Sequence, residues 1–176
     1  MTDSLDIGAR LRAMEDLEAI RALKARYFHC CDQKDPQGMR ECFAPGEVLI
    51  DYGSVGVFHE RDQLVEVFER LGCVDHIVEL HHGVNPQIAI TDEHHASARW
   101  GLHYQQIDTR MRTLTQLGAC YDDSYRKIDG AWKIASTRCV VNSTLVLDLG
   151  EGGVKPVVTG RPPVADASAA DAQAKA

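Results

Sequence analysis

The sequence predicts a single α+β domain in which three N-terminal helices pack on a strongly curved antiparallel or mixed β-sheet. Helical periodicity dominates the chain up to Gly72, whereas residues 76–147 form four long segments of strand composition with turn sequences between them. Strands of this length must coil and bend, so the sheet is expected to wrap over the helices as a cone. The open mouth of that cone is the predicted ligand pocket.

The first predicted helix covers about residues 7–31 and ends near Asp32, where the turn sequence QKDPQG begins. Charged residues are assigned to its solvent-facing side, and Lys24 is placed among them. Apolar residues recur at steps of three and four and mark the buried face: Leu11, Met14, Leu17, Ile20, Leu23, Tyr27, Phe28 and Cys31.

A second, short helix is predicted over residues 36–43, because Asp35 can cap its N-terminus. Residues 47–59 have the composition of two short strands bent at Gly53. A third helix is predicted over residues 61–71, since its apolar side chains fall on one side.

Four long strands follow, and the tight turns between them predict an antiparallel meander. The strands are expected over residues 76–90, 94–108, 111–128 and 131–147. With the helices they form one domain, residues 7–147. Residues 148–163 are rich in Gly and Pro and are expected to be an extended arm on the surface or on a neighbouring subunit. The Ala-rich residues 164–176 are expected to be disordered.

The charge balance excludes several classes of partner. Lys and Arg total 19 against 26 for Asp and Glu, a net charge of -7, which disfavours nucleic acid and anionic membrane surfaces. The sequence has no apolar run long enough to cross a bilayer, and its polar start, MTDSLDIGAR, lacks the pattern of a signal peptide. We therefore expect a cytoplasmic protein.

The cysteines and the motif inventory predict neither a metal nor a cofactor. The six cysteines contain no C-x-x-C pair and are expected to be reduced, buried thiols. The sequence also lacks the glycine-rich nucleotide-binding motifs and the H-E-x-x-H zinc motif.

Polar residues on apolar faces are the strongest indication of a functional site, because burying a polar group without a partner is costly. Tyr27 lies on the apolar face of the first helix, and Asp32 follows its last turn. Each has a structural alternative, since a buried tyrosine can bond a backbone carbonyl and an aspartate can cap a helix. Arg138 shares its strand face with apolar residues and could equally be the partner of an acidic neighbour.

Two consecutive histidines, His81 and His82, follow an apolar stretch of the first long strand. Because side chains alternate along a strand, at most one of them faces the pocket. His82 shares its face with Leu80 and Val84, whereas His81 shares its face with Glu79. Strand parity alone leaves the choice open.

Six segments form a pattern that a known family shares: MEDLEAI at 14–20, YFHCCD at 27–32, FAPGEVLIDYG at 43–53, HHGVNPQI at 81–88, ARWGLHY at 98–104 and YRKIDGAWKI at 125–134. Over about residues 10–145 the chain resembles the SnoaL-like branch of the nuclear-transport-factor-2-like superfamily. Within it the chain is most similar to bile acid 7α-dehydratase, and more distantly to scytalone dehydratase and γ-hexachlorocyclohexane dehydrochlorinase. The resemblance implies a cone-shaped α+β fold, a cofactor-free lyase and a homotrimer.

The resemblance also implies site residues. The Y-F-x-C-x-D phrase of that dehydratase matches Tyr27 and Asp32 as catalytic residues, and its His-x-Gly phrase falls on His81 rather than on His82. The pocket arginine of that dehydratase aligns with Val141, so Arg138 is not its direct counterpart. Further substrate contacts are predicted within or near the matched segments: Tyr52, Asn85, Trp100, Tyr104 and Arg138.

These residues predict an elimination. Imidazole can accept a proton at neutral pH, Asp32 would orient the His81 ring, and Tyr27 would donate a proton to a leaving group or an enolate oxygen. The expected enzyme is a lyase that removes water or a small fragment, such as formaldehyde, from a bulky hydrophobic hydroxylated aromatic or polycyclic compound. A sterol, a polyketide and a lignin-derived diaryl compound all fit. The alternatives are a steroid-like ketone isomerase and a non-catalytic ligand-binding module resembling a dioxygenase small subunit.

Overall fold

The structure is a computed structural model and describes residues 6–160 of the 176-residue chain. Three helices precede most of the sheet: α1 (Ile7–Asp32), α2 (Pro36–Cys42) and α3 (Arg61–Leu71). The strands are β1 (Glu47–Asp51), β2 (Val57–Glu60), β3 (Ile77–Ile90), β4 (His95–Asp108), β5 (Thr113–Ile128), β6 (Ala131–Asp148) and β7 (Lys155–Gly160). A 3₁₀ turn at Gly53–Val55 separates β1 from β2.

Local sequence explains where the helices begin. The Asp6 side chain accepts a hydrogen bond from the backbone of Gly8, and Asp35 caps α2 by accepting from Gly38 at 2.8 Å. At the start of α3, Glu60 and Gln63 form a reciprocal capping box. The predicted bounds of all three helices are confirmed to within one or two residues.

The strands form one mixed sheet in the order β2-β1-β6-β5-β4-β3, with β7 paired to β6. The four long strands are an antiparallel meander, whereas β1 pairs with β6 in parallel. Irregularities in the pairing of β3 with β4 and of β5 with β6 bend the sheet around the helices. The predicted α+β cone is therefore confirmed.

The region after the meander is partly ordered in the sheet. Residues 155–160 of the predicted arm form β7, which pairs with the end of β6 around Leu147. The last residues of the arm, 161–163, and the predicted disordered tail, residues 164–176, lie outside the described residues. Between residues 6 and 160, no helix is long and apolar enough to span a membrane.

Helix α1 carries a buried ion pair that the sequence pattern placed wrongly. Lys24 was assigned to the solvent-facing side, but it is fully buried and its Nζ lies 2.8 Å from Asp123 Oδ2 on β5. Asp123 also accepts hydrogen bonds from Tyr125 and Thr137. The Lys24 ammonium lies 3.8 Å from the centre of the Tyr121 ring, a cation–π contact. The concave sheet covers a wider part of the α1 surface than the apolar stripe alone, so Lys24, which lies beside that stripe, is also buried.

We expect Lys24→Met to lower the free energy of unfolding by about 3–5 kcal/mol, because Asp123 would keep a buried charge without its cation. The double variant Lys24→Met/Asp123→Asn should recover at least half of that loss, since the amide is neutral. Unfolding in guanidinium chloride measures both effects.

Arg21→Met is the matched control, because Arg21 lies one turn earlier and forms only an exposed pair with Glu18. Its effect should stay below about 1 kcal/mol. Equal losses for Lys24→Met and Arg21→Met would contradict the role of the buried pair.

Candidate functional site

A cavity of about 300 Å³ lies between the helices and the concave face of the sheet. Its wall is mostly apolar, with side chains from α2, α3 and the long strands: Met39, Leu64, Val67, Phe68, Leu102, Leu117 and Val141. A smaller set of polar and aromatic residues lines the same space: Tyr27, Tyr52, Glu79, His81, Tyr104, Gln106 and Tyr121. A largely apolar cavity with a few convergent polar groups has the character of a ligand site.

His81 and Asp32 form the best-defined polar pair of the site. His81 Nδ1 lies 2.7 Å from Asp32 Oδ1, and the backbone N–H of His81 donates to both carboxylate oxygens at 3.1 and 3.2 Å. The His81 side chain is 11% exposed and the Asp32 side chain 14%. An ionised carboxylate only accepts hydrogen bonds, so in the neutral imidazole Nδ1 carries the proton and Nε2 carries the lone pair.

The His81 ring is held from two further sides. It stacks on Phe28 with 5.7 Å between ring centres and makes an edge contact with Tyr104 at 4.8 Å. Gly83 is required for this arrangement, because a Cβ atom there would lie 2.4 Å from the Phe28 ring. The His-x-Gly phrase therefore has a packing reason: the glycine lets α1 approach β3 closely enough for Asp32 to reach His81.

Tyr27 and Tyr52 form a second pair in the cavity wall, with their hydroxyl oxygens 2.7 Å apart. Tyr27 projects from α1 and packs edge-on against Phe43, while Tyr52 follows β1. Either hydroxyl can donate to the other, so one of the two protons stays available for a ligand oxygen.

Burial keeps these phenols protonated. Burial is the main cause that raises the pKa of Tyr27 and of Tyr52 well above 10, and nearby acidic groups such as Cys31 add to it. The pKa of Tyr104 is also raised, first by burial and then by the Glu79 carboxylate. Burial raises the pKa of the Cys31 thiol as well, so this cavity residue is a neutral thiol near pH 7.

A third polar group occupies another part of the wall. Tyr104 donates to Glu79 Oε1 at 2.5 Å, and Gln106 Nε2 donates to the Tyr104 hydroxyl at 3.0 Å. Glu79 is two residues before His81 on β3, so both side chains point to the same face.

The structure brings together most of the predicted site. Tyr27, Tyr52, His81 and Tyr104 line the cavity, and Asp32 lies behind the His81 ring. The prediction of His81 over His82 agrees with this placement, since His82 is exposed and absent from the cavity wall.

Three predicted substrate contacts lie outside the cavity. Asn85 is exposed, with a φ of 51°, where the β3–β4 pairing shifts. Trp100 is buried elsewhere on the concave side, and its indole donates to the Tyr125 hydroxyl. The Arg138 side chain is 68% exposed and pairs with Asp51, whereas Val141, on the opposite strand parity, lines the cavity.

Sequence reasoning missed two features of the site. Glu79 could have been found, because it shares a strand face with His81. The pairing of Tyr27 with Tyr52 joins residues that are distant in the chain and depends on how α1 crosses the sheet, so no local pattern signals it. Within the part of the chain that the structure describes, no group of three His, Cys, Asp or Glu side chains is arranged to hold a metal ion.

The arrangement can perform proton transfer in a largely apolar space. His81 offers a basic nitrogen oriented by a carboxylate, and the tyrosine pair offers a proton to an oxygen that gains negative charge.

Comparison with known proteins gives a family and a fold. The profile of the SnoaL-like domain matches residues 12–138. A solved structure of a candidate scytalone dehydratase from Novosphingobium aromaticivorans is similar, with a TM-score of 0.70, 21% identity, and coverage of 88% of this chain and 97% of that one. The hexachlorocyclohexane dehydrochlorinase LinA-type3 from Novosphingobium barchaimii has a TM-score of 0.69, 13% identity, and coverage of 88% and 99%.

A third similar structure carries a different activity name. A candidate aromatic ring hydroxylase from Novosphingobium aromaticivorans has a TM-score of 0.66, 16% identity, and coverage of 82% of this chain and 94% of that one. At these identities the likeness establishes the fold alone.

The tyrosines give a test of the buried site through pH. All five have a raised pKa in the folded protein, with burial as the first cause. The folded state therefore keeps protons that the unfolded chain releases near pH 10, so the free energy of unfolding should fall as pH rises above about 10. Below that pH these groups should contribute no pH dependence.

Near-ultraviolet phenolate absorbance during an alkaline titration measures this. Native protein should show almost no phenolate until it unfolds, whereas the chain in guanidinium chloride should titrate all five tyrosines near pH 10. A native phenolate signal at pH 10 would contradict the burial of the pair.

Proposed function

The chain belongs to the SnoaL-like domain family, and from this premise we propose that it is a lyase that needs no metal or cofactor. The proposed reaction removes water, or a small fragment such as formaldehyde, from a hydroxylated aromatic compound. The observation that supports it is the meeting of the His81–Asp32 pair and the Tyr27 hydroxyl at one largely apolar cavity.

In the proposed reaction His81 is the base. Its Nε2 takes a proton from the substrate carbon next to the one that bears the leaving hydroxyl. Asp32 does not touch the substrate; it keeps the productive tautomer and stabilises the imidazolium that forms. The electron pair of the C–H bond becomes the new C=C bond, and the C–O bond breaks toward oxygen.

Tyr27 stabilises negative charge on oxygen during this step. Because burial raises its pKa, the phenol is better suited to donating a strong hydrogen bond than to giving up its proton permanently. The imidazolium of His81 then holds the proton that converts the departing hydroxide to water. Atoms and charge balance, and both side chains return to their starting forms.

The same groups can release formaldehyde. His81 would take the proton of a hydroxymethyl O–H, and the C–C bond to that hydroxymethyl carbon would break as its C=O bond forms. The electron pair of the broken C–C bond would make the new C=C bond while the hydroxyl on the adjacent carbon leaves. Formaldehyde, water and an alkene are then the products.

The size of the cavity narrows the substrate class. About 300 Å³ is at the lower end of ligand pockets, which favours a compound with one or two rings over a sterol. A lignin-derived aromatic or a small polyketide fits this space better. The homotrimer and the cytoplasmic location stay predictions.

His81→Ala should lower turnover by about 10² to 10⁴, the usual contribution of a positioned base. Asp32→Asn should also lower turnover, because an amide does not hold the same tautomer. The assay follows the absorbance of the conjugated alkene from a panel of hydroxylated diarylpropanes and two-ring polyketides, with product mass read by mass spectrometry.

His82→Ala is the matched control, since this neighbour points away from the cavity, and it should retain full turnover. Unchanged turnover in His81→Ala would remove the base from the mechanism. Product mass equal to substrate mass would support the isomerase, and no turnover by the wild-type protein on the whole panel would support the binding module.

A further inference from the structure

We propose that Glu79, held by Tyr104, is a specificity-determining residue that binds a phenolic hydroxyl of the substrate. This inference rests on the proposed function and deepens it, because it assigns the substrate class: compounds with a 4-hydroxyphenyl group.

The carboxylate is fixed in position before any ligand arrives. Its Oε1 accepts from Tyr104 at 2.5 Å, and Tyr104 in turn accepts from Gln106 at 3.0 Å. The cross-strand register supports this network, since Glu79 is directly opposite Gln106 and His81 is directly opposite Tyr104. The Tyr104 hydroxyl has its donor and its acceptor role filled, so the free polar capacity here belongs to Glu79.

The second carboxylate oxygen is available. In residues 6–160, Tyr104 is the one hydrogen-bond donor to the Glu79 side chain, and it uses Oε1. Oε2 lies beside Gly72, where an added Cβ atom would be 3.2 Å from it. The Phe68 ring fills the place of a side chain at Gly72, since an added Cβ atom would be 2.6 Å from that ring, and Phe68, Gly72 and Glu79 together line the cavity.

The Glu79 carboxylate discriminates between ligands by the hydrogen-bonding groups that they carry. It accepts hydrogen bonds and donates none, so a hydroxyl group satisfies it, whereas an ether or ketone leaves it unpaired in a largely apolar wall. A substrate carboxylate at the same place would be repelled. Sites built around a hydrogen bond discriminate strongly against analogues that lack the group.

The distance to the reacting groups indicates a phenol. Two residues of a strand span about 7 Å, so the Glu79 and His81 side chains start roughly one benzene ring apart. A ring with its hydroxyl at Glu79 therefore places its para carbon substituent beside His81. Hydrogen bonding of that phenol to the carboxylate increases electron density in the ring, which assists departure of a leaving group from the para benzylic carbon.

Binding of two neutral probes tests the proposal without any turnover. By isothermal titration calorimetry, wild-type protein should bind 4-propylphenol at least about tenfold more tightly than 4-propylanisole, the worth of one hydrogen bond to a charged group. Glu79→Leu should weaken the binding of 4-propylphenol by about tenfold or more and change the affinity for 4-propylanisole by less than about twofold. Glu66→Leu removes one negative charge from the exposed side of α3, outside the cavity, and should behave as wild type.

A second variant keeps the test decisive if Glu79→Leu does not fold. Glu79→Gln retains an acceptor but removes the charge, so it should keep part of the preference for the phenol and bind 4-propylbenzoate, which wild-type protein should reject. Equal binding of phenol and ether by wild-type protein, binding of neither, or equal weakening of both by Glu79→Leu would overturn the proposal.

Failure of this inference is separable from failure of the lyase. The preference of the wild-type protein and of Glu79→Leu for 4-propylphenol over 4-propylanisole tests this inference, whereas the turnover of His81→Ala tests the lyase. A protein that binds phenols through Glu79 but turns over no substrate would refute the lyase and leave this site intact. A protein that turns over substrate without preferring phenols would refute this site and leave the lyase proposal intact.

Discussion

The position of helix α1 inside the curved sheet is the constraint on which the site depends. Three polar contacts fix it: Asp16 accepts from Trp132 on β6, Lys24 pairs with Asp123 on β5, and Asp32 bonds His81 on β3. The helical residues of these contacts are eight apart, so each successive contact is rotated by about 80° around the helix axis. The helix therefore crosses the sheet diagonally from β6 to β3, and this path brings its last turns to the cavity.

The polar groups of the cavity avoid the cost of burial by bonding in pairs. His81 bonds Asp32, Tyr27 bonds Tyr52, and Tyr104 bonds Glu79. Each pair satisfies one hydrogen-bonding group and leaves another free. The free groups are a nitrogen lone pair in the first pair, a phenol proton in the second and a carboxylate oxygen in the third. A base, an acid and an acceptor can thus be held ready in an apolar space, where unpaired groups would destabilise the fold.

The sequence predicted well what depends on neighbouring residues. The helix bounds followed from periodicity and from caps such as Asp35, and the meander followed from strand composition and turns. Contacts between distant elements could not be predicted from local sequence. Lys24 was placed in solvent because helical periodicity identifies one apolar stripe on α1. It does not show that a bent sheet also encloses the side of the helix next to that stripe. For Trp100 and Asn85, a place in a matched segment did not determine whether the side chain reaches the cavity, and Arg138 lies beyond the last matched segment.

Strand β3 shows where reading a strand from its sequence pattern is weakest. Its outward side chains Leu80 and Val84 are exposed, whereas Glu79 and His81 face the cavity, which inverts the usual arrangement of a half-buried strand. A strand that directs polar groups inward contributes little apolar burial of its own. The neighbouring strand β4 supplies it instead, with a regular row of buried side chains: Ala96, Ala98, Trp100, Leu102 and Tyr104. Local rules fail on β3 because its cavity-facing side chains are polar, and β4 and α1 provide the apolar burial that β3 lacks.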